Sequence, residues 1–415
     1  MTKDNTSGKP GSGPLSGVRV LDLGRILAAP SCTQTLGDLG ADIIKVEHPE
    51  KGDDIRTWGP PFLKDDQGSD TTESGYYMST GRNKRSITID FSRPEGRDLL
   101  IKLMAESDIF VENYKVGGLK KYGLDYETVH RIHPSLIYCS ITGYGQTGPY
   151  RDRPGYDMVA QCLGGLISII GEEDSPPAKV PVAINDIMTG MYASIAILAA
   201  LRHRDHTGAG QQIDLGLLDV QIAWLYNQGV NYLLNSEIPS RLGTSHPNIV
   251  PYKIFKTADG FMLLGIASDY QFEKFCDLTG RRDLLERKGF RNNAERVNNR
   301  AEVDREIEDI LAGNTSDYWV EALSEIKLVC SKVNTMDQAL ADPQVAAREM
   351  VIQMQHSLRP SEPVDLIASP MKFSETPVSY RQAPPTLGQH TDQILKDVLG
   401  MTSEETRSLR QNGII

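Results

Sequence analysis

The first 140 residues of this chain alternate between apolar strand-like runs and helix-like segments. Strands are expected at 18–23, 42–47, 86–90, 109–112 and 136–141, with helices between them at 30–39, 94–106 and 126–132. Crossovers of this kind return the chain parallel to itself, so the pattern predicts a doubly wound, Rossmann-like α/β sheet. Ligands of such sheets lie outside the carboxyl ends of the strands, which here fall at 24–29, 113–118 and 142–149.

The length of 415 residues exceeds what one compact core usually holds. We expect a large domain at 16–224, a smaller α+β domain at 225–328, and a C-terminal segment at 329–415 that returns to the large domain. Residues 1–15 are polar and rich in Gly, Ser and Pro, which predicts a disordered tail.

Charge and cysteine content exclude several classes of protein. There are 44 Lys and Arg against 55 Asp and Glu, a net charge of −11, and no basic run of the kind that binds nucleic acid. The cysteines are scattered, without a C-x-x-C pair, so neither a disulfide framework nor a metal site is expected. Those in apolar surroundings are predicted to be inert core thiols: Cys32, Cys139 and Cys162.

The sequence gives no sign of a membrane partner. Its longest apolar run, 195–201, is far too short to span a bilayer, and the N-terminus lacks an apolar signal core. A cytoplasmic location is therefore expected.

The first strand–turn–helix unit resembles a dinucleotide site but lacks its glycines. The turn at 24–29 is not G-x-G-x-x-G, and the bulky side chains of Ile26 and Leu27 would block a pyrophosphate. No phosphate-binding P-loop occurs either. A nicotinamide cofactor is therefore disfavoured, and no permanently bound cofactor is expected.

Asp186 stands out within an otherwise apolar stretch, 182–190. The pattern indicates a strand end, one carboxylate, and then a small-residue helix that runs to about 204. Helix N–H groups near this carboxylate would favour its ionised form, which can attack an activated acyl group. The alternative is that Asp186 caps the helix N-terminus.

Several patches taken together resemble the class III CoA-transferases, the family of formyl-CoA transferase and the carnitine and bile-acid CoA-transferases. These patches occur in the family's order at 17–22, 39–47, 83–87, 111–114, 143–149, 155–157, 183–186 and 387–391. Further matches at 52–62, 138–144 and 249–252 are most similar to the branch that exchanges CoA between succinyl-CoA and glutarate. The resemblance implies a homodimer whose chains interlock like ring segments.

The resemblance gives Asp186 the role of nucleophile, which passes through a mixed anhydride and an aspartyl-CoA thioester. Asp157 matches a supporting acid near the active site, with a purely structural role as the alternative. Racemase relatives carry His before this Asp, whereas this chain has Tyr156. That difference favours acyl transfer over racemisation.

The resemblance also assigns binding residues. Coenzyme A contacts map onto Ile26, Ala28, His48, Ile89, Asn113, Tyr114 and Lys121. Because His48 and Lys121 replace arginines of the formyl-CoA branch, Arg82 or Lys84 is expected to compensate, as is Arg56. The residues expected at the substrate are Arg25, Leu27, Arg56, Trp58, Gly243 and His246.

The expected function is transfer of CoA from an acyl-CoA, succinyl-CoA by the resemblance, to a dicarboxylic acid. Two alternatives stay open from the sequence. One is an acyl-CoA racemase, and the other is a CoA-binding protein without catalytic activity.

Overall fold

The computed structural model describes residues 13–415, so most of the predicted N-terminal tail lies outside the described residues. Leu15, within the predicted tail, is buried, and its N–H donates to the carbonyl of Leu39. The chain divides into two compact units. The first comprises the described residues up to Leu166, Val180–Val230 and Gln344–Ile415, and the second comprises Ile167–Lys179 and Asn231–Pro343.

The described residues form both strands and α-helices. The strands are β1 Arg19–Asp22, β2 Asp42–Glu47, β3 Phe62–Lys64, β4 Asp70–Ser74, β5 Lys84–Thr88, β6 Ile109–Glu112, β7 Ile137–Thr142, β8 Gln212–Gly216, β9 Tyr252–Lys256, β10 Phe261–Gly265, β11 Val329–Lys332, β12 Val351–His356 and β13 Arg359–Ile367. The helices are α1 Ala28–Asp38, α2 Gly75–Met78, α3 Pro94–Ala105, α4 Tyr126–Ile132, α5 Asp157–Leu163, α6 Ile184–Thr207, α7 Leu217–Ala223, α8 Tyr226–Asn235, α9 Asp269–Thr279, α10 Asp283–Glu286, α11 Asn293–Asn298, α12 Arg300–Leu311, α13 Ser316–Glu325, α14 Met336–Leu340, α15 Pro343–Ala347, α16 Thr391–Leu399 and α17 Ser403–Gln411.

Six parallel strands form the central sheet of the first unit, in the order β5-β2-β1-β6-β7-β8. Successive side chains of a strand point to opposite faces. In β6, Ile109 and Val111 enter the core on one face, and Phe110 enters the core on the other. Both faces are covered by helices, which explains why the strands are apolar along their length. The predicted parallel α/β fold is confirmed.

Helices α1 and α6 approach each other very closely at Gly190. A Cβ added there would lie 2.1 Å from Ser31 Oγ and 2.7 Å from the carbonyl oxygen of Ala28. Only glycine permits this approach, because any side chain would push the two helices apart. Asp186 lies one turn before Gly190, so the contact fixes its position relative to the loop that precedes α1.

The second unit has its own antiparallel sheet, in the order β11-β10-β9. The predicted hairpin of β9 and β10 is present, with Phe255 paired opposite Met262. Helices α9 to α13 pack on this sheet around a buried cluster that includes Phe272, Phe290 and Leu323. This unit therefore contains a hydrophobic core of its own.

The C-terminal segment covers the outer edge of β5. The N–H of His390 donates to the carbonyl of Ser86 at 2.9 Å, and the N–H of Asp90 donates to the carbonyl of Ile414 at 2.7 Å. The N–H of Gly388 donates to Ser86 Oγ at 2.9 Å. A bare edge strand would expose these groups and recruit other strands, so the segment protects the sheet.

Two local expectations are wrong. Residues 182–183, predicted as a strand end, form no strand, because they lead into α6 as an irregular loop. Cys162 is exposed, since it lies on the outer face of α5 beside the exposed Leu163, whereas Cys32 and Cys139 are buried as predicted.

Within residues 13–415, α6 alone is long and apolar enough to cross a membrane by length and composition, a test that core helices also pass.

Candidate active site

Asp186 lies in the first turn of α6 and lines a cavity of about 210 Å³. The loops that follow β1, β6 and β7 supply the other walls. Residues from these loops in the lining include Arg25, Ile26, Leu27, Ala28, Asn113, Tyr114, Lys115, Gly143, Arg151 and Arg153. The cavity therefore lies at the carboxyl ends of the parallel strands, where ligands of such sheets bind.

The Asp186 carboxyl is half-buried, and its pKa is higher than the sequence predicted. Burial first, and then the neighbouring carboxylate of Asp157, together raise the pKa to about 7. The expectation that the helix N-terminus would favour the ionised form is therefore wrong, because desolvation and like charge dominate. Near neutral pH about half of the molecules carry an ionised Asp186.

Asp157 satisfies the N-terminus of α6 from a different helix. Its Oδ1 accepts hydrogen bonds from the N–H of Asn185 at 2.7 Å and from the N–H of Asp186 at 3.2 Å. Its Oδ2 accepts from Gln161 Nε2 at 2.6 Å. The N-cap residue Ala183 has no side chain that can do this, so Asp157 takes over the capping role. Asp186 itself is left free to face the cavity.

The loop before α1 is held in an unusual backbone conformation. Ile26 has a φ of 68°, which is rare for a β-branched residue. Asn113 accepts from the N–H of Arg25 at 2.8 Å and donates to its carbonyl at 2.6 Å. Asp53 Oδ1 accepts from the N–H of Ile26 at 3.0 Å. Strain of this kind persists only where surrounding contacts over-determine it, and here two side chains do so.

A buried ion pair keeps Asp53 in place for that contact. Lys45 Nζ lies 2.8 Å from Asp53 Oδ2, and both side chains are almost fully buried. Lys45 also donates to the carbonyl of Gly24. The first loop is therefore fixed at Gly24, Arg25 and Ile26, which leaves little freedom to Leu27 and Ala28, two residues that line the same cavity as Asp186.

A second cavity, of about 660 Å³, lies on the other side of this loop. Four of the predicted coenzyme A residues line it: His48, Ile89, Tyr114 and Lys121. Its lining also includes Lys51 and Lys115. Arg25, Tyr114, Lys115 and Val116 line both cavities. The lining thus holds five Lys and Arg side chains and also four carboxylates, of Glu47, Asp53, Asp54 and Asp90, and the pocket adjoins a small cavity that contains one carboxylate.

Comparison with known proteins assigns the family. The model of CoA-transferase family III matches residues 15–391. The chain belongs to CoA-transferase family III. It is 44% identical to the succinate–glutarate CoA-transferase of Agrobacterium fabrum, over 93% of this chain and 96% of that protein. It is 40% identical to the succinyl-CoA:glutarate CoA-transferase of Homo sapiens, over 97% of this chain and 90% of that protein.

A solved structure supports the same assignment. A CAIB/BAIF family protein from Brucella suis is 43% identical and superposes with a TM-score of 0.83, over 93% of this chain and 100% of that chain. The predicted family is confirmed, and the protein is a CoA-transferase.

Two basic residues predicted to bind coenzyme A lie elsewhere in this CoA-transferase. Arg82 binds both carboxylate oxygens of Asp38, at 2.9 and 2.6 Å. Lys84 Nζ is fully buried and donates to Asp22 at 3.1 Å and to Thr33 Oγ1 at 2.8 Å. Arg82 and Lys84 lie at the amino end of β5, whereas the cavities open at the carboxyl ends of the strands. They therefore do not replace the missing arginines.

Arg56, expected at the substrate, is also occupied. Its Nε lies 2.7 Å from Glu47 and its Nη1 lies 2.6 Å from Glu73, with all three side chains buried. It lines neither of the two cavities. The sequence shows the positive charge of Arg56 but not that Glu47 and Glu73 bind it in the folded protein.

Three further predicted substrate residues lie outside the Asp186 cavity lining. Trp58 is 46% exposed and packs edge-on against Tyr76 at 5.6 Å between ring centroids. Gly243 and His246 belong to the second unit, where His246 stacks on Tyr252 at 5.4 Å. Burial and the charge of Arg300 lower the pKa of His246. The roles proposed for these residues stay predictions.

The sequence analysis missed several residues of the site. One is Tyr76: burial, and then the charges of Asp186 and Asp157, raise the pKa of its hydroxyl, so this hydroxyl lies near both carboxylates. Lys51 and Lys115 line the larger cavity, and Arg151 and Arg153 line the smaller one. The only available signal was position: Lys115, Arg151 and Arg153 lie in or just beyond the predicted strand-end loops.

Proposed function

We propose that this enzyme transfers CoA from succinyl-CoA to a dicarboxylic acid through covalent intermediates on Asp186. The observation that carries the proposal is the single carboxylate in a small cavity that adjoins a larger pocket, whose lining includes the side chains of Lys51, Lys115 and Lys121. The larger pocket suits the phosphates of coenzyme A, and the smaller one suits a short acid. The names of the relatives from Agrobacterium fabrum and Homo sapiens support succinate and glutarate as the acids.

In the proposed reaction the Asp186 carboxylate attacks the acyl carbonyl of succinyl-CoA. The carbon–sulfur bond breaks, which releases CoA thiolate and leaves a mixed anhydride. The thiolate then attacks the Asp186 carbonyl, which releases succinate and forms an aspartyl-CoA thioester. The acceptor carboxylate attacks that thioester, which releases CoA thiolate and forms a second mixed anhydride between the acceptor and Asp186. The thiolate then attacks the acceptor's carbonyl carbon in this anhydride. The new acyl-CoA departs and the Asp186 carboxylate is restored.

Trapping the thioester tests this sequence. Borohydride added after succinyl-CoA reduces the aspartyl thioester, and peptide mass mapping then locates the modified side chain. We expect modification in the peptide that contains Asp186 and in no other peptide. The control is Asp157→Asn, which keeps Asp186 and should still be modified. Modification elsewhere, or none during active turnover, contradicts the assignment.

We further propose that the enzyme is a homodimer. In the first unit, large apolar side chains on α6 and α7 face solvent, among them Met191, Ile195 and Ile222. Met191 and Ile195 line a cavity of about 480 Å³ together with Trp224 and Tyr226. An exposed apolar surface of this kind usually marks an interface, and a second copy is the proposed occupant. Ultracentrifugation should find a dimer that Ile195→Arg weakens, whereas an active monomer contradicts it.

A cytoplasmic location is proposed as well. It is supported by the packing of α6, whose residues Gly190, Ala193 and Ile197 are buried against the core of the first unit. Cell fractionation followed by a carbonate wash tests it. Recovery of the protein in washed membranes would contradict the proposal.

A further inference from the structure

The cavity that contains Asp186 is strongly cationic, although the chain is acidic. Four basic side chains line it, Arg25, Lys115, Arg151 and Arg153, and Asp186 is the one carboxylate in the lining. The net charge of the whole chain is −11. Basic side chains gathered around a concave site on an acidic protein favour an anionic ligand there.

These four residues fall into two pairs. Arg25 and Lys115 line both cavities, so they lie at the boundary where the coenzyme A arm would enter. Arg25 is also partly neutralised, since Asp54 lies 3.4 Å from its Nη1. Arg151 and Arg153 line only the Asp186 cavity of the two. Their charge is therefore directed to the acid rather than to coenzyme A.

Arg151 and Arg153 have little else in the described chain to bind. Arg151 pairs with its neighbour Asp152 at 3.4 Å, and both side chains are exposed, so the pair is weak. The Arg153 guanidinium lies over the Tyr150 ring, 3.8 Å from its centroid. Stacking holds the guanidinium plane while leaving its N–H donors free for a carboxylate.

The loop that carries these arginines is fixed at its base. A Cβ added to Gly155 would lie 2.4 Å from Gly143 Cα, so the loop crosses the end of β7 in direct backbone contact. The Arg153 N–H also donates to the carbonyl of Tyr150 at 2.8 Å. A fixed loop loses little entropy when the arginines bind a ligand.

We propose that Arg151 and Arg153 bind the distal carboxylate of the acid and thereby make the enzyme selective for dicarboxylates. This assignment rests on the proposed function, in which one carboxyl group of the acid reacts at Asp186. The other carboxyl group then projects into the same cavity, where an arginine can bind it through two parallel hydrogen bonds. A monocarboxylate of equal length offers no such group.

The test compares glutarate with pentanoate, which have the same number of carbons, as acceptors from succinyl-CoA. We expect Arg151→Gln and Arg153→Gln each to lower the glutarate/pentanoate ratio of kcat/KM by about tenfold, because a hydrogen bond to a charged group is lost. The double variant should lower the ratio further. The rate with pentanoate and the KM for succinyl-CoA should change little.

The control is Arg97→Gln, at a partly exposed arginine on α3 that lies outside both cavities and should keep the wild-type ratio. Should a Gln variant fold poorly, Arg153→Lys keeps the charge and should keep part of the preference. A wild-type preference that survives the double Gln substitution overturns this assignment alone. If the wild type does not prefer glutarate, the proposed acid class fails together with it.

Discussion

Two arginine-bearing regions of the first unit hold their charges in opposite ways. Arg56 is buried and bound by the carboxylates of Glu47 and Glu73. Arg153 is exposed, lies on the Tyr150 ring, and has no ion pair among residues 13–415. In the sequence each residue is simply one positive charge, and only Arg56 was predicted to contact the substrate.

The difference between the two regions is whether the partner of the charge lies inside the protein. A buried pair such as Arg56 with Glu47 is matched within the fold, and losing one partner leaves an uncompensated buried charge. A charge that lines a cavity is matched only when a ligand binds. Substitutions in the first region should therefore change stability, and those in the second should change kinetics.

The largest kinetic effect is expected at Asp186. Asp186→Asn should reduce turnover at least about 10³-fold, since the attacking oxygen is lost. The same change should raise the free energy of unfolding at pH 8 by about 1–2 kcal/mol, allowing for partial exposure. In the wild type the raised pKa makes stability fall as pH rises from about 4 to about 7, because the folded state binds more protons there.

Chemical denaturation and steady-state kinetics on the same samples measure both effects. A stabilised but inactive Asp186→Asn enzyme supports the contrast between the regions. An Asn variant that loses both activity and stability would place Asp186 with the structural charges instead.

A matched pair of arginine substitutions tests the contrast directly. Arg56→Ala should lower the free energy of unfolding by about 3–5 kcal/mol, because Glu47 and Glu73 are left without their partner. Arg151→Ala should lower it by less than about 0.5 kcal/mol, as for most exposed side chains. Urea denaturation of both variants provides the measurement. Equal losses of unfolding free energy in the two variants would contradict the distinction between the two regions.

The pH dependence of kcat/KM follows from the raised pKa of Asp186. The nucleophile must be ionised, so the rate should rise with pH and level off above about 7. At pH 6 it should be about tenfold below the plateau. Asp157→Asn should move this limb to lower pH, because the like charge is removed. A limb that stays in place would show that burial alone sets the pKa.

The smallest effect is expected in the larger cavity. Lys121→Gln should raise the KM for succinyl-CoA by about fivefold, since one charged contact to a phosphate is lost. The glutarate/pentanoate ratio should stay unchanged, in contrast to the arginine variants of the smaller cavity. Initial rates at varied succinyl-CoA give the answer. A changed acid preference would mean that the two cavities do not act separately.

Local sequence patterns predicted the sheet well because they depend on neighbouring residues. Apolar runs such as Ile109–Glu112 are buried on both faces, so their composition alone marks them as strands. The same kind of local pattern singled out Asp186 as a lone carboxylate but left a helix cap as the alternative, and the family resemblance gave it the role of nucleophile.

The sequence could not show which residues meet across the fold. Glu73 lies 17 residues from Arg56, and only the folded chain shows that it binds that arginine. Likewise Asp157 reaches the N–H of Asn185 from 28 residues away, so its capping role had no local signal. The raised pKa of Asp186 comes from burial first and from the proximity of Asp157 second, and the helix effect alone gave the wrong sign.

The covered edge of β5 has a consequence for how the chain emerges from the ribosome. Ser86 in β5 and His390 are 304 residues apart, yet the N–H of His390 donates to the carbonyl of Ser86 and the N–H of Ser86 donates to His390 Nδ1. At about 5–20 residues per second, β5 waits about 15–60 s for its cover. During that interval the nascent sheet has an open edge. Fragments that stop before the C-terminal segment should therefore be the forms that chaperones hold and that aggregate first.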